Sequence, residues 1–69
     1  MEELNDKQKA ILKILKDLKE GESLATSKIA FLISSNLYLA EKYLEELLEK
    51  NLIEKYEKNN ATYWRLKNE

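Results

Sequence analysis

The stretch Thr26-Ser27-Lys28-Ile29-Ala30-Phe31-Leu32-Ile33-Ser34-Ser35-Asn36-Leu37-Tyr38-Leu39-Ala40-Glu41-Lys42-Tyr43-Leu44 decides the fold. Ile29, Ala30, Leu32 and Ile33 supply the apolar content of a short helix, and Thr26 offers it an N-cap. Ser34-Ser35-Asn36 then interrupts with three residues that all favour turns and caps. Asn36 would cap another helix, in which Ala40, Leu44, Leu47 and Leu48 recur at spacings of three and four. Two helices joined by a tight turn are predicted, at about 27–33 and about 37–50.

Upstream, Leu4, Ile11, Leu15 and Leu18 fall on one helical stripe with Ala10 and Ile14. Asn5 or Asp6 can cap its start and Gly21 is a natural stop, so the first helix is predicted at about 6–20. Ser23-Leu24-Ala25 is too short for a helix and reads as one extended bridge. Downstream, Asn51 suits the left-handed residue at a helix end. The period then changes. Leu52 to Glu57 and Ala61 to Lys67 are rich in strand-forming residues, with Lys58-Asn59-Asn60 as a polar turn between them. This hairpin, at about 52–67, would need to pack on the helices to be stable, through Leu52, Ile53, Trp64 and Leu66. The order is helix, short strand, helix, helix, hairpin.

The 69 residues make one domain, 1–69, with 43% apolar and 36% charged residues, which suits a compact fold. There is no cysteine for a disulfide framework. Met1-Glu2-Glu3 lacks the basic start and apolar stretch of a signal peptide, and no apolar run is long enough to span a membrane. A cytoplasmic protein is expected. Abundant Lys, Glu, Ile and Leu, with one Gly and no Pro, is similar to the composition of proteins from heat-loving organisms.

The element order resembles the winged-helix branch of the helix-turn-helix DNA-binding domains, as found in small archaeal and bacterial transcription regulators. The resemblance runs from about Asn5 to Lys67. Ile29-Ala30 stands where the family has an Ile-Ala pair, and Ser34-Ser35-Asn36 stands at its turn. Ala40 and Leu44 match its core positions, Asn51-Leu52-Ile53 its exit into the wing, and Tyr63-Trp64-Arg65-Leu66 its aromatic last strand. Two departures stand out. Ser34 replaces the usual Gly, which a negative φ would accommodate, and the third helix is not basic.

The resemblance implies a mainly α three-helix domain with a small hairpin wing. It also implies a double-stranded DNA partner and, since palindromic sites need two copies, a homodimer. It places Thr26, Ser35, Asn36, Tyr38 and Lys42 of the helix-turn-helix, and Lys55, Lys58, Asn59, Asn60 and Arg65 of the wing, against the duplex. Tyr38 and Lys42, four apart, share one face of the helix that would enter a major groove. Glu41 and Glu45 lie beside them and would repel phosphates unless one reads a cytosine amino group. The same surface equally reads as a solvated, ion-paired face. Lys9, Lys13 and Lys16 line one side of the first helix, either as a solubilising stripe or as a phosphate contact.

The charge balance, twelve basic against thirteen acidic residues and a net −1, gives no overall bias toward nucleic acid. A second reading is therefore carried: a winged helix that binds a protein through Phe31, Leu37, Tyr38 and Leu39, as a module of a larger replication, transcription or sorting assembly. Catalysis has no basis in the residues. Without His or Cys the usual bases, thiolates and soft metal ligands are missing. Paired acids such as Glu2-Glu3 and Glu45-Glu46 lack a pocket context, and one Gly cannot build a phosphate loop. No cofactor, metal or small-molecule substrate is expected.

Overall fold

The computed structural model describes residues 4–19 and 21–67. Met1-Glu2-Glu3, Glu20, Asn68 and Glu69 lie outside them. The elements run α1 (Asp6–Lys16), β1 (Leu24–Ala25), α2 (Thr26–Leu32), α3 (Leu37–Glu49), β2 (Ile53–Lys58) and β3 (Ala61–Leu66). The strands form one antiparallel sheet in the order β1-β3-β2, so β2 is an edge. This is the helix, short strand, helix, helix, hairpin order expected from the sequence.

The helix-turn-helix is built from local hydrogen bonds. The α2 helix closes with Ile33 at its C-cap, Ser34 N–H donating to the Phe31 carbonyl (3.1 Å) and Ser35 N–H to the Ala30 carbonyl (2.9 Å). That pair of bonds is a Schellman motif, which requires a left-handed residue just past the cap. Ser34 accordingly has φ +56°, and the expectation of a negative φ is corrected. The α3 helix ends the same way, with Asn51 at φ +62° and Leu52 N–H donating to the Leu47 carbonyl (3.2 Å). Its start is capped as read: Asn36 Oδ1 accepts from Leu39 N–H at 2.8 Å.

Three other boundaries move. The α1 helix ends at Lys16 rather than about Glu20, because Leu18 N–H turns to the Leu15 carbonyl (3.2 Å). Lys19 and Glu22 then close a turn in which Gly21 takes φ +86°. Gly21 thus serves that turn and not the helix end. Thr26 does not cap α2 from outside. Ala25 occupies that position, and Thr26 begins the helix with its side chain buried. Lys58 belongs to β2, leaving Asn59 (φ +53°) and Asn60 (φ +65°) as a two-residue turn of the mirror-image type that matches strand twist.

The core is one cluster: Ile11 and Leu15 of α1, Ile29, Ala30 and Ile33 around α2, Ala40, Leu44 and Leu47 of α3, and Ile53 and Trp64 of the sheet. Trp64 is 1% exposed and plugs the space between sheet and helices, as expected. Leu66 packs at its margin, but Leu52 is 38% exposed and is not a packing residue. Buried Gln8 ties α1 to α3. Its Nε2 donates to Glu46 Oε1 (2.7 Å), while its N–H donates to Asn5 Oδ1 (2.7 Å) in a capping box. Lys7 Nζ also donates to the Ile33 carbonyl, joining α1 to the turn.

Candidate nucleic-acid interface

The α3 helix buries Ala40, Leu44 and Leu47, which turns Tyr38, Glu41, Lys42 and Glu45 outward. Tyr38 is 75% exposed. Lys42 is exposed and has no ion-pair partner among the described residues. Beside this helix the wing projects its turn, with Lys58, Asn59 and Asn60 all exposed. A shallow groove separates the two, lined by Ser27, Glu41, Asn60 and Thr62. Of the outward helix face and the wing turn, Glu41 and Asn60 line this groove, while Lys58 and Asn59 border another one on the far side of the sheet.

The remaining wing cations are differently placed. Strand pairing sets Lys55 opposite Trp64, so it lies on the helix side of the sheet. There Lys55 Nζ meets Glu45 Oε2 of α3 at 3.0 Å and stands 5.6 Å from the indole ring centre. Arg65 lies on the opposite sheet face, where its Nε donates to Glu54 Oε1 at 3.0 Å. These pairs are partly exposed and contribute little to stability, but each places a carboxylate beside a cation assigned to phosphate contact.

Within the turn, Asn36 is exposed but its carboxamide oxygen is engaged in capping, and Ser35 is half-buried with its N–H bound to Ala30. Thr26 departs furthest from expectation. It is 7% exposed, and its hydroxyl accepts the Trp64 Nε1–H at 2.7 Å while lying 3.5 Å from the Thr62 carbonyl. A side chain so engaged belongs to the core, and Thr26 is removed from the contact set. The protein-binding candidates divide similarly: Phe31 and Leu37 are 76% and 51% exposed, whereas Leu39 is half-buried.

Sequence reasoning missed Ser27, Thr62 and the groove they share, and it missed Glu45 as the partner of Lys55. The helix-wing contacts join residues far apart in sequence, so no local pattern reports them. Gln8 had a readable signal in the Asn5-Asp6-Lys7-Gln8 spacing of a capping box.

No protein-family model and no curated protein matches the chain. Solved structures do. The homodimeric winged helix-turn-helix DNA-binding domain of a possible ArsR-family transcriptional regulator from Mycobacterium bovis is 26% identical, with TM-score 0.79 over 90% of this chain and 54% of that one. ZitR of Lactococcus lactis, a zinc-responsive MarR family member, is 25% identical, with TM-score 0.79 over 96% of this chain and 45% of its own. A point mutant of ZitR was solved in complex with DNA. The adhesin competence repressor AdcR of Streptococcus pyogenes shares the fold at 18% identity, with TM-score 0.81 over 94% of this chain and 48% of its own. The chain thus spans about half the length of these structures, and these relatives are regulators rather than enzymes. In fold and element order, this chain is a winged helix-turn-helix domain of the kind these transcription regulators carry.

Proposed function

We propose that this domain binds double-stranded DNA as the reading head of a small transcription regulator and works as a homodimer in the cytoplasm. One observation carries the reading: α3 presents Tyr38 and Lys42 on an exposed outward face, and Glu41 of the same helix shares a shallow groove with Asn60 of the exposed Lys58-Asn59-Asn60 wing tip. A helix of this kind lies in a major groove while a basic hairpin tip follows phosphates or enters a minor groove. Tyr38 donates to a phosphate or packs on a thymine methyl, and Lys42 reaches a guanine edge. The homodimeric relative and the DNA complex of ZitR support this reading. No helix among the described residues is long and apolar enough to cross a membrane.

The test is a titration of labelled duplexes, random-sequence and selected, over a range of salt concentrations. A falling log–log salt dependence with a slope near −0.9 per phosphate contact is expected. Absence of duplex binding at low salt would end this reading.

A second reading has its own observation. Of the five exposed large apolar side chains among the described residues, Phe31, Leu32, Leu37 and Tyr38 fall within eight consecutive positions around the turn. Such a concentration supports docking to a protein. A partner lost on Leu37→Ala, from a domain that binds no duplex, would favour it.

A further inference from the structure

The sheet has a second face, turned away from the helices, that the groove does not use. Pairing places Glu54, Tyr56 and Lys58 of β2 opposite Arg65, Tyr63 and Ala61 of β3, while Ile53 and Trp64 point into the core. The Tyr56 and Tyr63 rings lie side by side, with centroids 6.5 Å apart and planes tilted by 31°. The Arg65 guanidinium carbon stands 5.4 Å from the Tyr56 ring centre.

Both rings stay partly exposed, although the Arg65 guanidinium lies over that of Tyr56. Tyr63 pairs with Ala25 of β1 and has Ala61 and Arg65 as its same-face neighbours along β3, and the methyl groups of the two alanines cover little of a phenol ring. Among the described residues no strand flanks Tyr56 on its far side, because β2 is the sheet edge. Both tyrosines are half-buried and line a shallow groove with Ser23, Lys58 and Asn59. Lys58 is exposed and has no ion-pair partner among the described residues.

A cross-strand aromatic pair stabilises a hairpin, which accounts for the ring contact. It does not account for Lys58 at one end of the pair, exposed and without an ion-pair partner among the described residues, whereas Arg65 at the other end is held by Glu54. Adjacent π-faces bounded by positive charge complement a strand whose bases are unstacked and whose phosphates are exposed. A duplex offers no free base faces to such a surface. We infer that the outer face of the wing binds single-stranded nucleic acid, with Tyr63 and the exposed part of Tyr56 stacking on bases and Lys58 meeting phosphates.

The probe is a labelled single-stranded oligothymidylate about 12 nucleotides long, titrated by fluorescence anisotropy at low salt. Saturable binding is expected, weakened about tenfold by Tyr63→Leu and severalfold by Lys58→Ala, and unchanged by Lys42→Ala on α3. Lys58→Ala should also flatten the salt dependence by about 0.7 in log–log slope. A melting curve checks the fold of each variant, and Lys58→Ala with its salt slope carries the test should Tyr63→Leu unfold. No binding at low salt would overturn the inference, as would binding lost on Lys42→Ala but kept in Tyr63→Leu and Lys58→Ala. A dimer that Tyr63→Leu dissociates, with no oligonucleotide bound, would assign this face to a second copy and also overturn it. Duplex titration of the same variants is separate, so either reading can fail alone.

Discussion

The indole Nε1–H of Trp64 donates to Thr26 Oγ1 across 2.7 Å, and both residues are almost wholly buried. This bond fastens the last strand to the first turn of α2, the helix that supports the turn. Thr26→Val keeps the shape but leaves the indole N–H without an acceptor, at a cost of about 1–3 kcal/mol. Trp64→Ala should cost about 3–5 kcal/mol through the cavity it leaves. Urea unfolding of both variants measures this, and a Trp64→Ala protein with a near-unchanged midpoint would contradict the packing described.

Ser34 sits at φ +56°, where a side chain is strained and glycine is not. Replacing it relieves that strain without disturbing the Schellman bonds, which are made by the backbone. Ser34→Gly should therefore stabilise the domain by about 1 kcal/mol, raising Tm by roughly 4–8 °C. Asn51→Gly should gain less, because Asn tolerates the left-handed region better. Calorimetry of the two variants decides between this account and one in which the turn is unstrained.

Lys58 and Lys42 should behave differently toward duplex DNA. If the proposed function holds, Lys58 at the wing tip meets phosphates, and Lys58→Ala should weaken all sequences alike and lower the salt slope by about 1. On the same reading Lys42 meets a base edge, and Lys42→Ala should relax discrimination at one base pair by about 1–3 kcal/mol. Competition with single-base-pair variants of a selected site separates the two effects. Equal losses on every sequence for both variants would place Lys42 on the backbone.

The ion pair between Lys55 and Glu45 holds one wing cation against α3. Glu45→Gln releases it and removes a charge that repels phosphates. Duplex affinity should rise and the salt slope steepen by up to about 1, while stability changes by less than about 1 kcal/mol. Adding Lys55→Ala should return the slope to its starting value. A slope that stays steep in the double variant would trace the gain to Glu45 alone.

The readable parts of this chain were those whose signal is local. Ala40, Leu44 and Leu47 mark the buried face of α3 by spacing, and all three are fully buried. Asn59-Asn60 marks the hairpin by its tolerance of positive φ. Misreadings arose where distant residues decide. Thr before a helix resembles a cap, but Thr26 answers to Trp64, thirty-eight positions away. Leu18 extends the apolar stripe of α1, yet it packs on the core from a turn after the helix. The Glu54–Arg65 pair follows from the hairpin register, whereas Lys55–Glu45 depends on how the hairpin docks. Of the residues the sequence set against a duplex, Tyr38, Lys42, Lys58, Asn59 and Asn60 are exposed, whereas Thr26 is buried and Lys55 and Arg65 are ion-paired.

Among the described residues the short strand β1 pairs only with β3, joining Leu24 to Trp64 and Ala25 to Tyr63. Helices and hairpin can each begin from neighbouring residues, but this pairing must close a long loop before it gains anything. On a ribosome, where domains are made from the N-terminus onward, α2 and α3 would be synthesised before the tryptophan that completes their support. Until that strand emerges, the helix-turn-helix has an open core, and the nascent chain at that stage is the form most exposed to chaperones and proteases.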